Sequence, residues 1–477
     1  MEEAKSSTTP PIPTYGKHDL KKCQSKFKAY FLDNMNNLPS LKQKIISLAL
    51  NAELHPELIR PHSWKIFLKT LSFGDNVSLK TWLNETYQKR EAYKKLLSQA
   101  KKDYEENEAN KDSKFSNFEE TSSIKHLIEI DVERTYSDMK LFKDEYIRRM
   151  EEDILYVFSR ENKPVSYKQG MNENLAIFLH SLYPFYVNSP EQNYSPEKFD
   201  LWCSDPDKYL NQIYCFFHDE KELGSDLYYL LYNIMSSGLN KFYNDEIDPE
   251  SSKNDQKTYL LLRCDYILDK LRKHNNVLHQ HFVEIGLSAE VILQRWLKCV
   301  FSREYTPEDC IIIWDNILAN EYNVPSKNLE YIDYFCVAMF DYVGKNLLTH
   351  DQNECFICLF KYPPFQTIDI LVKLAEKVKE NILKLDKPSE SIFSFSKIKD
   401  IKNKINVKIN DITSIFSNED NAKEQRNADA LAELRKITDN KTRIAQLKKI
   451  LNKYRNKFYS DDRMKIDLLL NSLEKNV

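Results

Sequence analysis

The sequence predicts an all-α fold. Glycine is scarce, with 7 in a chain of 477 residues, and none of the seven stands in a glycine-rich phosphate-binding pattern. Apolar residues recur at the three- and four-residue spacings that give a helix one buried face. The chain is 42% hydrophobic, which is enough for a large core, and its length suits either two to four domains or one continuous helical unit.

The chain begins with a stretch that shows no periodicity. Residues 1 to about 20 are rich in Ser, Thr and Pro, which is typical of a mobile tail. We assign residues 1–40 to this tail and a leading segment. Helical periodicity begins near residue 40, where Leu41, Ile45 and Leu48 share one stripe.

A single domain is predicted to follow over residues 41–380. Pro61 stands near a helix start, where its missing N–H costs little, and Trp64 follows on the core face. Three polar stretches within the domain are predicted to be loop insertions, near residues 97–121, 187–207 and 241–257.

Helices are predicted on both sides of a short connection in the middle of the domain. Residues 142–160 carry apolar side chains at helical spacing and should end at Asn162, because Pro164 disfavours helix at the residue before it. A second apolar stripe begins after Gly170. Further apolar helices are predicted at 259–271, 289–301, 310–318, 331–348 and 356–379, broken by Pro307 and by the pair Pro363 and Pro364.

The C-terminal part of the chain changes character. Residues 381–426 are polar and are predicted to form a flexible linker. Residues 427–477 are predicted to contain an amphipathic helix, in which Ile437, Ile444 and Leu451 stand seven apart. Docking of this helix on the main body is the first interpretation, and binding of a further protein partner is the alternative.

Charge and cysteine content exclude several function classes. The formal net charge is −3, so no global field draws the chain to nucleic acid, and no nucleic-acid-binding signature is present. No stretch of 18 apolar residues occurs, which predicts no transmembrane segment and at most peripheral membrane association. The 9 scattered cysteines suit a reducing cytoplasmic protein, with recruitment to endomembranes as an extension of that interpretation.

Metal binding has little support in the sequence. Cys355 and Cys358 form a lone C-x-x-C within an apolar run, which favours one buried helix face. His279 and His281 stand near each other but have no second ligand pair at zinc-finger spacing. We expect neither a metal nor a cofactor of the protein's own.

Two short segments carry side chains suited to GTP hydrolysis. In residues 128–135, Ile128, Asp131 and Arg134 fall on adjacent turns of one helix face. An arginine stays protonated and can bridge phosphate oxygens, which stabilises the charge that develops on them. Taken alone, this segment is more often a surface helix with a weak ion pair.

The second segment is residues 167–170. Gly170 permits a backbone angle that other residues resist, so Gln169 would project from a rigid turn. A glutamine can accept a hydrogen bond from an attacking water and donate one to a nearby oxygen. Taken alone, this segment reads as a plain connection between two helices.

Together the segments resemble the TBC domain, the fold of GTPase-activating proteins for Rab-type small GTPases. The resemblance spans about residues 54–380. Its I-x-x-D-x-x-R and Y-x-Q-G-M-N motifs and flanking signatures are carried by Ile128, Asp131, Arg134, Thr135, Tyr167, Gln169, Gly170, Met171, Asn172, Arg60, Trp64, Arg295, Trp296, Phe301, Arg303, Glu304, Trp314, Asp315, Ala338, Met339, Tyr362 and Pro363.

The resemblance implies a multi-helical domain of two helical lobes and a mechanism with two catalytic side chains. Arg134 would enter the phosphate site of a Rab-type partner, and Gln169 would orient the attacking water. GTP and Mg²⁺ would belong to the partner. The same resemblance gives supporting or partner-binding roles to Ile128, Asp131, Thr135, Tyr167, Gly170, Arg60 and Arg303.

Two other functions stay open at this stage. A catalytically silent scaffold is the main alternative, because Ser137 departs from the proline often found three residues after the arginine and because the chain has an extra C-terminal helix. An enzyme that binds and hydrolyses nucleotide by itself is the third, and the missing phosphate-binding loop argues against it.

Overall fold

The computed structural model describes residues 16–386, with gaps at residue 75 and at residues 110–117, 192–193 and 252–255. Over this part of the chain the backbone forms helices, turns and two isolated β-bridges, without a strand. The α-helices are α1 (Leu20–Phe27), α2 (Leu38–Leu50), α3 (Arg60–Phe67), α4 (Leu79–Ala109), α5 (Phe118–Arg134), α6 (Lys140–Lys143), α7 (Glu145–Glu161), α8 (Met171–Leu182), α9 (Glu197–Ser204), α10 (Leu210–Phe217), α11 (Leu223–Ser236), α12 (Tyr259–His274), α13 (Asn276–Glu284), α14 (Ala289–Cys299), α15 (Pro307–Asn323), α16 (Tyr331–Leu347), α17 (Gln352–Phe360) and α18 (Ile368–Asp386).

The all-α prediction is confirmed, and the helices up to Asp386 belong to one compact unit. A π-helical turn (Lys28–Leu32) extends α1, and three 3₁₀ turns lie at Tyr183–Phe185, Glu220–Glu222 and Leu239–Tyr243. The linker was predicted to start at residue 381, but α18 continues to Asp386. The rest of that linker and the predicted C-terminal helix of residues 427–477 lie outside the described residues.

The leading segment is part of the core, so the domain boundary predicted at residue 41 falls inside a packed region. Helix α1 begins after Asp19, whose carboxylate accepts a hydrogen bond from the Lys22 N–H at 2.8 Å. Phe27 and Phe31 are 3% and 1% exposed. The Phe27 ring lies 4.6 Å from the ring of His62 in α3.

The three predicted insertions contain helical turns with buried aromatic or small residues. Helix α4 continues through the first stretch to Ala109, with Ala100 buried against the body, and α5 starts at Phe118. Helix α9 lies in the second stretch and buries Phe199 and Trp202. The third begins in a 3₁₀ turn that buries Tyr243. Polar composition misled the prediction because it describes only the solvent side of these elements.

The middle of the domain matches its prediction closely. Helix α7 ends at Glu161, and the Asn162 side chain donates a hydrogen bond to the Phe158 carbonyl at 2.9 Å. Helix α8 begins directly after Gly170 and is buried over most of its length. Helix α13 was not predicted, because it is short and carries polar residues and Val277 and Val283 on its exposed side.

A buried ion pair joins α3 to α15 near the centre of the core. Arg60 contacts both carboxylate oxygens of Asp315, with Nη2 2.9 Å from Oδ2, and the Trp64 indole N–H donates to Oδ1 at 2.7 Å. Arg60 is 3% exposed and Asp315 is fully buried. Arg60 therefore has a structural position, which fits the supporting part of its predicted role, and its side chain offers almost no surface to a partner.

Candidate functional site

The first side of the site is the C-terminal end of α5. Ile128 and Val132 are buried and fix the helix on the body. Arg134 is the last helical residue and its side chain is exposed. The buried Thr135 hydroxyl, directly after the helix, donates a hydrogen bond to the Asp131 carbonyl at 2.7 Å.

The chain turns sharply after this helix. Tyr136 has a φ of 42°, in the left-handed region that residues other than glycine rarely adopt. Its hydroxyl donates to the Ser302 carbonyl at 3.1 Å. This contact fixes the turn that follows Arg134 against the segment between α14 and α15.

The second side is the connection between α7 and α8. Ser166 also has a left-handed φ, of 56°. The next residue, Tyr167, points inward and is 4% exposed, whereas Gln169 is exposed. Burial beside Asp131 raises the pKa of the Tyr167 hydroxyl, so it stays protonated and acts as a donor. The predicted support role of Tyr167 fits this position, and its burial leaves little surface for a partner.

Gly170 occupies a position that only glycine fits well. Its φ is 105°, and a Cβ atom there would lie 3.3 Å from the Tyr243 hydroxyl and 3.5 Å from Cys299 Sγ. Its N–H donates to Asn172 Oδ1 at 3.0 Å. Helix α8 therefore starts in close contact with Tyr243 and α14.

Buried hydrogen bonds join the two sides. The Tyr167 hydroxyl donates to Asp131 Oδ2 at 2.8 Å and lies 3.2 Å from Asn172 Oδ1. The Asn172 Nδ2 donates to Thr135 Oγ1 at 2.7 Å. Asp131 thus holds the 167–170 connection, which is one of its predicted roles. Among the described residues, its carboxylate accepts no hydrogen bond from Arg134.

Arg134 and Gln169 are both exposed beside this buried network. Within the part of the chain that the structure describes, neither side chain has a hydrogen bond or an ion pair. A guanidinium and a carboxamide are therefore offered to solvent from two segments that are tied together. Such groups can stabilise anionic oxygens and orient a water molecule on another molecule.

Two further ion pairs flank the site. Arg303 Nε lies 3.1 Å from Glu173 Oε1 in the first turn of α8, with the Arg303 side chain 41% exposed. Arg295 Nε lies 2.8 Å from Glu304 Oε1, whose side chain is fully buried. Burial raises the pKa of Glu304 to about 7, although the two arginines oppose the shift.

Sequence reasoning missed several residues that build the site. Asn172 stands in the recognised motif, but nothing in the sequence indicates that its side chain forms hydrogen bonds between the two segments. Tyr243 and its neighbour Asp245 lie in a stretch predicted to be a loop. Asp245 Oδ2 accepts a hydrogen bond from Lys168 Nζ at 2.7 Å.

Metal and membrane features are also defined for the described residues. No group of three or more His, Cys, Asp or Glu side chains there is placed to hold a metal ion. His281 Nε2 lies 3.2 Å from the His350 carbonyl, and the buried Cys355 Sγ lies 3.5 Å from the Leu347 carbonyl. No helix in residues 16–386 has the length and apolarity to cross a membrane.

Comparisons with known proteins give one consistent result. The family model "Rab-GTPase-TBC domain" matches residues 57–348. The chain is 24% identical over 369 residues to "TBC1 domain family member 5" of Mus musculus, covering 71% of this chain and 42% of that protein. It is 24% identical over 472 residues to "TBC1 domain family member 5 homolog B" of Dictyostelium discoideum, covering 75% of this chain and 44% of that protein. The chain thus spans less than half the length of these relatives.

The fold has a counterpart among solved structures. The crystal structure of the Ypt/Rab-GAP domain of Gyp1p aligns with a TM-score of 0.55 at 18% sequence identity, covering 77% of this chain and all of that one. At this identity the likeness shows the fold.

Proposed function

The chain belongs to the Rab-GTPase-TBC domain family, and on that premise we propose that it activates a Rab-type small GTPase by supplying Arg134 and Gln169 to the partner's active site. The observation that carries the proposal is the pair of exposed, unpartnered side chains on two segments joined by buried hydrogen bonds. This activity would regulate vesicle traffic, and it would take place in the cytoplasm or on endomembranes to which the partner is bound.

Arg134 is proposed to stabilise charge on the partner's nucleotide. Phosphoryl transfer places negative charge on the phosphate oxygens and on the leaving group, and a guanidinium offers two parallel donors to them. Helix α5 presents this group at its last residue, on a turn held by Tyr136 and Thr135. These contacts hold the backbone that carries Arg134, so only the freedom of its side chain is lost when the guanidinium binds.

Gln169 is proposed to orient the attacking water. Its carbonyl oxygen would accept a hydrogen bond from the water, while its amide donates to the partner. The backbone of its turn is held by buried Tyr167 on one side and by Gly170 on the other. Fixing the water in line with the phosphorus lowers the entropic part of the barrier.

The test is GTP hydrolysis by a panel of GTP-loaded Rab proteins with and without this chain. We expect acceleration of at least one member. Arg134→Ala should lower that acceleration by about 10³-fold, the lower end for an arginine finger. Arg134→Lys should recover only a small part, because an ammonium lacks the planar fork. Gln169→Ala should cost about 10²-fold, the usual effect of one positioned hydrogen-bonding group.

Two exposed residues away from the site serve as matched controls. Arg272 in α12 has a 54% exposed side chain, and Gln99 in α4 is also exposed. Their alanine variants should keep the full acceleration. All variants should have the unfolding midpoint of the unmodified chain, because each replaced side chain faces solvent.

The alternatives give different results in the same experiment. A scaffold would bind Rab proteins without accelerating any of them, and its binding would survive Arg134→Ala. An enzyme that acts alone would bind GTP and hydrolyse it with no Rab protein present. Either result would overturn the proposal.

A further inference from the structure

Gln169 has no hydrogen bond of its own among the described residues, so its flanking residues decide where it points. Tyr167 on one side and Gly170 on the other fix the backbone ends of the turn. Lys168 is the remaining neighbour. Unlike Tyr167, it lies at the surface, with a side chain 44% exposed.

Lys168 is joined to Asp245. The Lys168 Nζ lies 2.7 Å from Asp245 Oδ2, and the Asp245 side chain is 74% exposed. The hydrogen bond from Lys168 lowers the pKa of Asp245, so the carboxylate is charged at neutral pH. The two residues are far apart in sequence, so the pair fixes the turn to a separate segment.

The segment that carries Asp245 is itself well held. Tyr243 is 1% exposed, its hydroxyl donates to the Lys298 carbonyl at 2.6 Å, and it packs against Gly170. Beyond Asp245, the Asp248 N–H donates to the Lys257 carbonyl at 2.9 Å. Asp245 therefore lies between two anchored points.

Gln169 thus stands between two contacts to the same segment. Gly170, after it, packs on Tyr243, and Lys168, before it, pairs with Asp245. We propose that the Lys168–Asp245 pair is a positioning device that holds Gln169 in its water-orienting place. The proposal rests on the proposed function for its kinetic consequence, although the placement of the turn can be measured without a partner.

The expected effect is modest but specific. An exposed ion pair changes an equilibrium by about two- to fivefold. Breaking the pair should lower the maximal GTP hydrolysis rate at saturating activator by about that factor. The activator concentration that gives half of this rate should not change, because the pair is proposed to orient Gln169 and not to bind the partner.

The kinetic test uses charge exchange. Lys168→Asp and Asp245→Lys should each lower the maximal rate, since each places like charges side by side. The double exchange restores opposite charges and should recover most of the rate. A double variant no faster than the single variants would overturn the proposal.

A double-mutant cycle with Gln169 tests whether the pair acts through that residue. In a Gln169→Ala background, Lys168→Asp should have no further effect on the residual rate, because the group to be positioned is gone. If Lys168→Asp lowers the rate by the same factor in both backgrounds, Lys168 contacts the partner directly and the proposal is wrong.

Another exposed pair provides the control. Lys80 and Asp200 join α4 to α9 and have side chains 48% and 72% exposed, close to the values for Lys168 and Asp245. Lys80→Asp and Asp200→Lys should leave the maximal rate unchanged. A fall equal to that of the Lys168 variants would mean that any surface ion pair has this effect.

Amide hydrogen exchange of the free chain makes the test independent of GTPase activation. Lys168→Asp and Asp245→Lys should each speed amide hydrogen exchange at residues 166–170 by about two- to fivefold. The double variant should return the hydrogen exchange rates to those of the unmodified chain. Unchanged exchange in the single variants would overturn the inference even if the chain is an active GTPase activator. A chain that activates no Rab protein, yet shows the exchange pattern, would overturn only the proposed function.

Discussion

Tyr167 connects the exposed part of the site to its buried support. Within the described residues, the Asp131 carboxylate accepts one side-chain hydrogen bond, from the Tyr167 hydroxyl. Asp131 is 3% exposed. Tyr167→Phe would leave that acceptor without its partner. We expect the free energy of unfolding to fall by about 1–3 kcal/mol, measured by urea denaturation.

The matched control for this change is Tyr232, which is 39% exposed. Tyr232→Phe should alter the free energy of unfolding by less than about 0.5 kcal/mol. Equal effects of the two substitutions would contradict the role given to the Tyr167 hydroxyl. The Tyr167→Phe variant should also lower any GTPase acceleration, because the turn before Gln169 loses its anchor.

Gly170 allows a prediction about backbone conformation. Gly170→Ala combines a positive φ with contacts of 3.3 Å and 3.5 Å to Tyr243 and Cys299. We expect a loss of about 1–3 kcal/mol in the free energy of unfolding. Gly74 has no atom within 4 Å of the added Cβ and no positive φ, so Gly74→Ala should be neutral or stabilising when thermal unfolding of the two variants is compared.

Glu304 should make stability depend on pH. Its pKa is about 7 in the folded chain, against an ordinary value of 4.5. Between these two values the folded chain keeps a proton that the unfolded chain releases, so stability falls as pH rises from about 4.5 to about 7. Glu304→Gln should remove up to about 3 kcal/mol of this fall.

The measurement for Glu304 is the urea midpoint at several values between pH 4.5 and 8. Glu105 in α4 is exposed, and Glu105→Gln serves as the control that should keep the slope of the unmodified chain. Parallel pH profiles for the unmodified chain and Glu304→Gln would contradict the raised pKa.

At the scale of elements, α1 tests whether the leading segment stabilises the domain. Phe27 is 3% exposed, whereas Leu20 on the same helix is 36% exposed. Phe27→Ala should lower the free energy of unfolding by about 3–5 kcal/mol, because it opens a cavity beside His62. Leu20→Ala should cost less than about 1 kcal/mol. A neutral Phe27→Ala would show that α1 can detach without loss.

Element prediction succeeded where a local rule was strong. Pro164 fixed the end of α7, and Gly170 marked the start of α8. It failed where a helix was short or carried only one or two core residues, as in α9 and α13. Left-handed turns at Tyr136 and Ser166 had no sequence signal, because packing from distant segments imposes them.

At the scale of the whole molecule, the Arg60–Asp315 pair joins helices that are far apart in sequence. Arg60→Met would leave the Asp315 carboxylate buried without its partner charge. We expect a loss of about 3–5 kcal/mol in the free energy of unfolding. Arg149→Met, at a side chain 64% exposed, should be nearly neutral. The GTPase acceleration per folded molecule should be the same for both, and a selective loss in Arg60→Met would return Arg60 to the partner interface.

The sequence identified Arg134 and Gln169 as candidate residues, but it did not reveal the contacts that hold their segments. The order and type of Arg134 and Gln169 were readable because they stand in recognisable motifs. Asn172 and Asp245 act through contacts that only the folded chain creates. A single sequence contains no signal for a contact between residues so widely separated, so these supports could not be assigned.

The separation of exposed working groups from a buried frame has a consequence for how such a chain can change. Exchange of Arg134 or Gln169 removes no packed atom, so the altered chain would fold as well as before. Under the proposed function, such a variant would still dock on the Rab-type GTPase without accelerating hydrolysis, and it would shield that GTPase from intact activators. One surface substitution would then turn the proposed activator into a competitive inhibitor of GTP hydrolysis.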